Sequence, residues 1–352
     1  MKPGDTAAAI LTGRDVDEND MYAYWHSVNA GERPKTEIVS VLAVLAVLPP
    51  STTKMRSFVR FVRDAYPPEA LPEATNAVNI VGTGGGRSTF NISTTAAFVV
   101  AAAGGRVLKS GSSAYSSSVG SADILTALGL VRSFSDGFVN DMLAETGLAF
   151  AAPQRYASIC KRLAISAMPL NFKIVGRFVN TLGPLICPYD VRANIIGAST
   201  PALMAQIDAI AGDLGLRVMT AHSEIGVDEF LSIGNTQWKW ADEDKTHRFS
   251  GPDNHLCQGG IDALAGGDLS ANVDILTKLL QGKGSTIATE TVAVNAGAAL
   301  YAAGHVDDIA AGVHHALECI RDGAPFDKLE QARAFVAAHR ARPGADLAEA
   351  VA

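Results

Sequence analysis

The chain has 352 residues, 48% of them hydrophobic, 18% charged and 7% aromatic, with a formal net charge of −7. That length and apolar content suffice for a large core in one or two domains, and they exclude a disordered or collagen-like chain. The acidic balance speaks against a nucleic-acid binder, and the nearest thing to a basic groove, Lys161, Arg162, Lys173 and Arg177, reads as scattered solvated charges.

The opening segment, "MKPGDTAAAILTGRD", lacks the apolar core of a secretory signal, and the longest apolar runs, "IVSVLAVLAVLPP" and "AAFVVAAAGG", are too short to span a bilayer. Cys160, Cys187, Cys257 and Cys319 are widely separated and form no C-x-x-C pair. Free thiols in the cytoplasm are the expectation. Residues 5 to 30 read as helical, with capping chemistry at Asp17 to Asn19. Pro34 precedes a second, largely apolar helix, "KTEIVSVLAVLAVL", which Pro49 and Pro50 stop. "STTKMRSFVRFVRDAY" is a third, with a Ser/Thr cap, and "PPEALPEAT" is the linker out of this helical module.

"VNIVG", residues 78 to 82, reads as a buried strand, and a Gly-rich loop and the helix "STTAAFVVAAAGG" follow it. "RVLKSG" is a second strand and "SVGSADILTALGL" begins a second helix, a βαβ rhythm that predicts a parallel sheet. "NTLGPLICPYD", residues 180 to 190, is a Gly/Pro-rich connection. A strand "RANIIGAS", a helix capped by Thr200 with Pro201 first inside it, and a strand "RVMTAHSE" come next. Residues 235 to 257 are polar and show no clear period; the last hundred residues or so alternate helices with short breaks.

The chemistry concentrates in three places. Gly82, Gly84, Gly85 and Gly86 supply bare backbone between a strand and a helix, and Thr83, Ser88, Ser93 and Thr94 supply hydroxyls. Backbone N–H groups at a helix start suit a phosphate, although neither the dinucleotide pattern nor the Walker pattern fits and a plain tight turn is the ordinary alternative. "LKSGSSAYSSSVGSAD", residues 108 to 123, is a second hydroxyl-rich loop and contains Lys109. Two such loops at the carboxyl ends of adjacent strands suggest one ligand with two anionic groups. "GVDEF" places Asp228 beside Glu229. In a loop both carboxylates can face one Mg²⁺, although an exposed pair of charges is commoner.

Together, "GTGGG…FNIST", "KSGS…GSADILTALG", "NTLGPLICP" and "GVDE" resemble the anthranilate phosphoribosyltransferase family, which shares its fold with the pyrimidine nucleoside phosphorylases. The resemblance runs over nearly the whole chain. It implies an α/β fold with a small all-helical domain, residues 1–70 and about 170–195, and a larger α/β domain, 71–169 and about 196–352, built on a mostly parallel sheet. It implies 5-phosphoribosyl 1-pyrophosphate (PRPP) as donor, bound by Gly82, Thr83, Gly84, Gly85, Asn91, Ser93, Thr94, Lys109 and Ser117. Mg²⁺ would be held by Ser93, Asp228 and Glu229, with Lys109, Asp228 and Glu229 as the catalytic groups. A homodimer through the helical domain is also implied.

The acceptor half departs from the family. Its K-H-G-N-R becomes Lys109-Ser110-Gly111-Ser112-Ser113, its H-H-P segment has no counterpart, and the Asp of GTGGD is Gly86. The family arginine that holds the anthranilate carboxylate falls, by ungapped counting from Asn180, on Leu170; Arg177 or Lys173 could take its place only if the local alignment slips. Ser110, Ser112, Tyr115 and Leu170 are the expected acceptor-site residues. Their chemistry predicts an acceptor other than anthranilate, of the aminoglycoside or natural-product type. The rivals are a true anthranilate enzyme, a nucleoside phosphorylase and a non-catalytic binding homologue. His222 is either a general base or a hydrogen-bonded structural residue, and Trp238 and Trp240 either stack on the acceptor or anchor a loop.

Overall fold

A computed structural model describes residues 1–110, 119–130 and 135–341. Four helices open the chain: α1 (Pro3–Leu11), α2 (Glu18–Asn29), α3 (Lys35–Val47) and α4 (Thr52–Ala65). The single helical stretch expected over residues 5 to 30 is broken between α1 and α2, where Asp17 caps α2 by accepting the Asp20 N–H at 2.9 Å.

The rest of the chain builds a seven-stranded sheet in the order β3-β2-β1-β4-β5-β6-β7. β1 (Val78–Gly82), α5 (Ile92–Ala102) and β2 (Val107–Lys109) form the first βαβ unit. α6 (Ser121–Ala127), α7 (Asp136–Thr146) and β3 (Leu148–Phe150) follow. Three short helices come next: α8 (Ser158–Ala167), α9 (Phe172–Val175) and α10 (Arg177–Leu182). β4 (Ala193–Gly197), α11 (Pro201–Asp213) and β5 (Val218–Ser223) complete the parallel part, and Thr200 caps α11 with Pro201 first inside it, as the sequence predicts.

β6 (Asn235–Trp240) and β7 (His247–Ser250) add an antiparallel edge where the sequence showed no clear period. The signal was there in "NTQWKW": Thr236, Trp238 and Trp240 are buried, while Asn235, Gln237 and Lys239 are not. Trp238 stacks on His247 with ring centroids 4.3 Å apart, and the Arg217 guanidinium lies over Trp240. Both tryptophans therefore anchor the sheet edge. Four C-terminal helices, α12 (Leu269–Leu280), α13 (Thr286–Ala303), α14 (Ile309–Arg321) and α15 (Ala324–Arg340), cover the sheet.

Two apolar clusters result. One joins the sheet to α5 and the C-terminal helices, with Val99, Phe98, Leu300 and Val292 at its centre. The other joins α1–α4 to Ile159, Leu163, Phe178 and Leu182 and to one face of α11. Among the described residues no helix is long and apolar enough to cross a membrane.

Candidate active site

β1 lies between β2 and β4 and runs parallel to both, so the strand order reverses at the carboxyl ends of β1 and β4. A crevice opens at that point in open parallel sheets, and the loops after the strands line it. Here it is a cavity of about 1140 Å³. Its sheet side is made by the Gly-rich loop, the start of α5 and the Asp228–Glu229 segment. Its other side is made by α8, α9, α10 and the turn after them.

Most of the predicted donor residues meet there. Gly82, Thr83, Gly84, Asn91, Ser93, Thr94, Lys109, Ser110, Asp228 and Glu229 all line the cavity. Gly84 and Gly85 take φ of +72° and +87°, the left-handed region that favours glycine, and this turns the loop back over the strand ends. The acids are tied to that loop: the Gly84 N–H donates to Asp228 Oδ2 at 2.6 Å, and the Ser93 N–H, in the first turn of α5, donates to Glu229 Oε1 at 3.1 Å. Gly86, where the family has Asp, packs against the opposite strand end. A Cβ there would stand 2.7 Å from the Gly226 carbonyl oxygen, so this loop has no room for a side chain.

Lys109 comes up from β2 into the same cluster. Its Nζ donates to the Ile80 carbonyl at 2.6 Å and to Ser93 Oγ at 3.1 Å. Burial pushes the ammonium down to about 8, with the Glu229 charge opposing. Burial, and then the neighbouring Asp228, push Glu229 up to about 8, against the Ser93 N–H and Lys109. Asp228 is also raised by burial, with the Gly84 N–H opposing. Glu229 Oε2 is buried and has no hydrogen-bond partner. Two adjacent carboxylates with an unsatisfied oxygen, facing a loop of N–H and O–H donors, are short of positive charge.

Other predicted residues fare differently. Ser110 lines the cavity but is held by a buried amide network: Asn79 Nδ2 donates to Ser110 Oγ at 2.8 Å and to Asn194 Oδ1 at 3.0 Å. Leu170 is not at the site. It is 51% exposed and lies in the turn between α8 and α9, while the adjacent Asn171, Phe172 and Lys173 line the cavity. The ungapped count therefore misplaces the acceptor residue. Ser112, Tyr115 and Ser117 lie outside the described residues. His222 is buried, its Nδ1 2.9 Å from the Ala198 carbonyl oxygen, and is structural.

The sequence reading also left some wall residues unassigned. Lys161, read as a scattered charge, and Lys173, offered as a stand-in for the carboxylate arginine only if the local alignment slips, both line the cavity, and Arg87 joins them. Arg177 Nη2 stands 3.7 Å from where a side chain on Gly85 would begin. Among the described residues none of these four cations is in an ion pair, and Asp228 and Glu229 are the only acids lining the cavity.

Residues 74–326 match the model of the glycosyl transferase family, a/b domain. The chain is 32% identical over 330 residues to an anthranilate phosphoribosyltransferase of Lactococcus lactis, covering 92% of this chain and 97% of the relative. It is 32% identical over 336 residues to one from Prochlorococcus marinus, covering 94% and 96%. The crystal structure of anthranilate phosphoribosyltransferase from Thermus thermophilus superposes with a TM-score of 0.81 at 29% identity, over 95% of this chain and 99% of that one. The enzyme from Saccharomyces cerevisiae in complex with PRPP and Mg gives 0.82 at 21% identity, over 96% and 98%. Fold and site thus define a glycosyl transferase of the pentosyl-transferring class. Within that class, the chain belongs to the anthranilate phosphoribosyltransferase family.

Proposed function

We propose that this chain transfers the 5-phosphoribosyl group of PRPP to the amine of anthranilate, releasing pyrophosphate. The observation that carries the donor half is the buried Asp228–Glu229 pair, with its unpartnered Glu229 Oε2, facing the N–H groups of the Gly-rich loop and α5. The loop N–H groups and the start of α5 would bind the donor's phosphates, with Thr83, Asn91, Ser93, Thr94 and Lys109 around them. Gly82, Gly84 and Gly85 would supply the close backbone, and Ser117 would join from the second loop.

The residues fit Mg²⁺. Among the described residues no group of three or more His, Cys, Asp or Glu side chains is placed to hold a metal ion by itself. Two carboxylates and the Ser93 hydroxyl would hold the ion, in the manner of Mg²⁺ sites that take one or two carboxylates and complete the shell with water and substrate phosphates. When bound, the ion offsets charge on the pyrophosphate as it leaves. The chain's own contribution is placement. The nitrogen–C1 bond forms as the C1–oxygen bond to pyrophosphate breaks, the amine's proton passes to the departing pyrophosphate or to water, and no enzyme nucleophile takes part.

Anthranilate is favoured over the natural-product acceptor expected from the serine-rich loop. The relatives are anthranilate phosphoribosyltransferases, and the helical wall of the cavity carries lysines and no acid among the described residues. A cationic aminoglycoside would meet repulsion there. The assay mixes PRPP, Mg²⁺ and anthranilate and follows pyrophosphate release and the ribosylated amine by mass spectrometry. Product should require all three components and disappear with a chelator. Donor binding without anthranilate turnover would return the acceptor to another class, and phosphorolysis of a nucleoside without PRPP would make the chain a phosphorylase.

The division into a helical and an α/β domain and the homodimer belong to the same reading. Val47, Leu48, Ile165, Met168, Leu170 and Ile174 are exposed, and they sit on α3, α8, α9 and the segments beside them, which pack on one another. A second copy would cover this face. Sedimentation should give a dimer, and Val47→Glu with Ile174→Glu should give a monomer; a wild-type monomer at micromolar concentration overturns the assignment.

A further inference from the structure

The structure assigns Asn295 and Thr291, one turn apart on α13, as positioning residues for the acid pair Asp228–Glu229; the inference rests on the proposed Mg²⁺-dependent donor site. Neither residue lines the large cavity, so both act through other groups.

The segment from Val227 to Gly234 forms no helix or strand, yet Phe230, Leu231, Ser232 and Ile233 are buried. Buried backbone N–H and C=O groups need partners, and here no helix or ladder supplies them. Among the described residues no backbone group of residues 228–233 bonds to another backbone group. Side chains take over. The Phe230 N–H donates to Asn295 Oδ1 at 3.3 Å, and Asn295 Nδ2 donates to the Phe230 carbonyl at 2.7 Å. One amide thus holds both backbone polar groups of the residue after Glu229. Nδ2 also donates to the Thr291 carbonyl at 2.9 Å, which fixes the amide on its own helix. One turn earlier, Thr291 Oγ1 accepts the Ser232 N–H at 3.4 Å and lies 2.8 Å from Ser232 Oγ, which donates to the Ile287 carbonyl at 3.3 Å.

The spacing explains why a helix can do this. Four residues of helix rise about 6 Å and two residues of extended chain about 6.6 Å, so positions 291 and 295 fall opposite 232 and 230. Thr291 and Asn295 are buried among Val292, Val294, Ala296 and Ala298, where a polar side chain is costly unless its bonds are made. The helix is itself closely seated: a Cβ on Gly297 would stand 2.6 Å from the Val313 nitrogen of α14. Holding the Phe230 N–H sets the plane of the Glu229–Phe230 peptide, and with it the direction in which Glu229 leaves the backbone. The Gly84 and Ser93 N–H groups hold the carboxylates themselves. The acids are thus fixed between the Gly-rich loop and α13.

The test compares wild type with Asn295→Ala, Thr291→Val and Thr291→Ser at a temperature where each is folded. Calorimetric titration of PRPP at a series of Mg²⁺ concentrations gives the Mg²⁺ needed for half-maximal binding, and thermal unfolding of the metal-free protein is measured alongside. Asn295→Ala should raise the Mg²⁺ requirement about tenfold, the scale on which losing the support of a metal-binding side chain lowers affinity. Thr291→Val, which keeps the shape and loses the hydroxyl, should raise it about threefold, and Thr291→Ser should match wild type. PRPP affinity at saturating Mg²⁺ should return to within about threefold of wild type in every variant, because neither residue touches the donor. A fall in Tm with an unchanged Mg²⁺ requirement in Asn295→Ala and Thr291→Val reduces both residues to packing and overturns the inference. Thr291→Ser as impaired as Thr291→Val overturns it too. If Asn295→Ala does not fold, the two Thr291 variants decide by the same criteria. Wild type that fails to bind PRPP, or binds it equally well without Mg²⁺, overturns the donor reading beneath the inference, and the inference with it.

Discussion

Asp228→Asn with Glu229→Gln abolishes Mg²⁺-dependent PRPP binding, lowers kcat/KM by at least about a thousandfold, and raises the stability of the metal-free protein. Both carboxylates are buried together, and only part of their hydrogen-bonding capacity is met, by the Gly84 and Ser93 N–H groups. The amides have nearly the same shape and can keep those two bonds through their carbonyl oxygens. They lose the charge that a divalent cation needs, and they also lose the cost of ionising carboxylates that are kept out of water. Function and stability thus move in opposite directions, the gain in stability being about 1–3 kcal/mol.

The pH dependence carries the same sign. Glu229 is raised in the folded state to about 8, so its proton is held by the fold and released by the unfolded chain over the range between the ordinary carboxylate value and about 8. Metal-free protein should lose stability as pH rises through that window. Lys109 is lowered to about 8, so above that value the folded chain is neutral there while the unfolded chain still holds a proton. Stability from this group rises with further increase in pH. These two groups together place a minimum near pH 8 in the metal-free protein. Thermal unfolding at a series of pH values checks it: Glu229→Gln should flatten the falling limb, and excess Mg²⁺ with PRPP should raise Tm throughout. A double variant with wild-type Mg²⁺-dependent PRPP binding would remove Asp228 and Glu229 from the site.

Gly197→Ala is expected to be nearly as damaging by another route. β1 and β4 pair in a register that sets Gly82 beside Gly197. The Asp228 backbone crosses directly over these two residues. A Cβ on Gly197 would fall 1.6 Å from the Asp228 carbonyl oxygen and 2.3 Å from its carbonyl carbon, and one on Gly82 would fall 2.2 Å from Asp228 Oδ2. Backbone cannot rotate away as a side chain can. Gly197→Ala must therefore displace the whole Asp228–Glu229 segment, costing about 3 kcal/mol or more in stability and at least about a hundredfold in activity. Gly82→Ala pushes on a carboxylate that can turn, so activity falls with a smaller loss of Tm. Thermal unfolding and PRPP titration on the two variants separate the cases. An unperturbed Gly197→Ala protein would mean that this crossing is looser than the structure has it.

Local signals carried much of the organisation. The Gly-rich run after "VNIVG" had to be a loop, because β-branched residues precede it and glycines that can take positive φ form it. Thr200 and Pro201 mark the start of α11, and Asp17 the start of α2, because capping is satisfied within three residues. The adjacent Asp228 and Glu229 stood out by their type and spacing alone, and the structure places both in the cavity. β6 was missed, although Thr236, Trp238 and Trp240 alternate inward along it.

Packing decided the rest. Lys161 looked like an ordinary surface charge, and Lys173 could be given a role only by a slip in the alignment, because nothing within a few residues pairs either with anything. Only the folding of α8 and α9 over the strand ends, dozens of residues away in the chain, turns them toward the Gly-rich loop. Leu170 failed as a counted position because the turn between α8 and α9 carries the chain out to solvent there and returns it to the cavity at Asn171. The sequence by itself determined which segments could bind phosphate and a cation, since those demands are local. The tertiary structure alone decided which charges line the cavity, since a side chain's neighbours across a cavity are set by long-range packing.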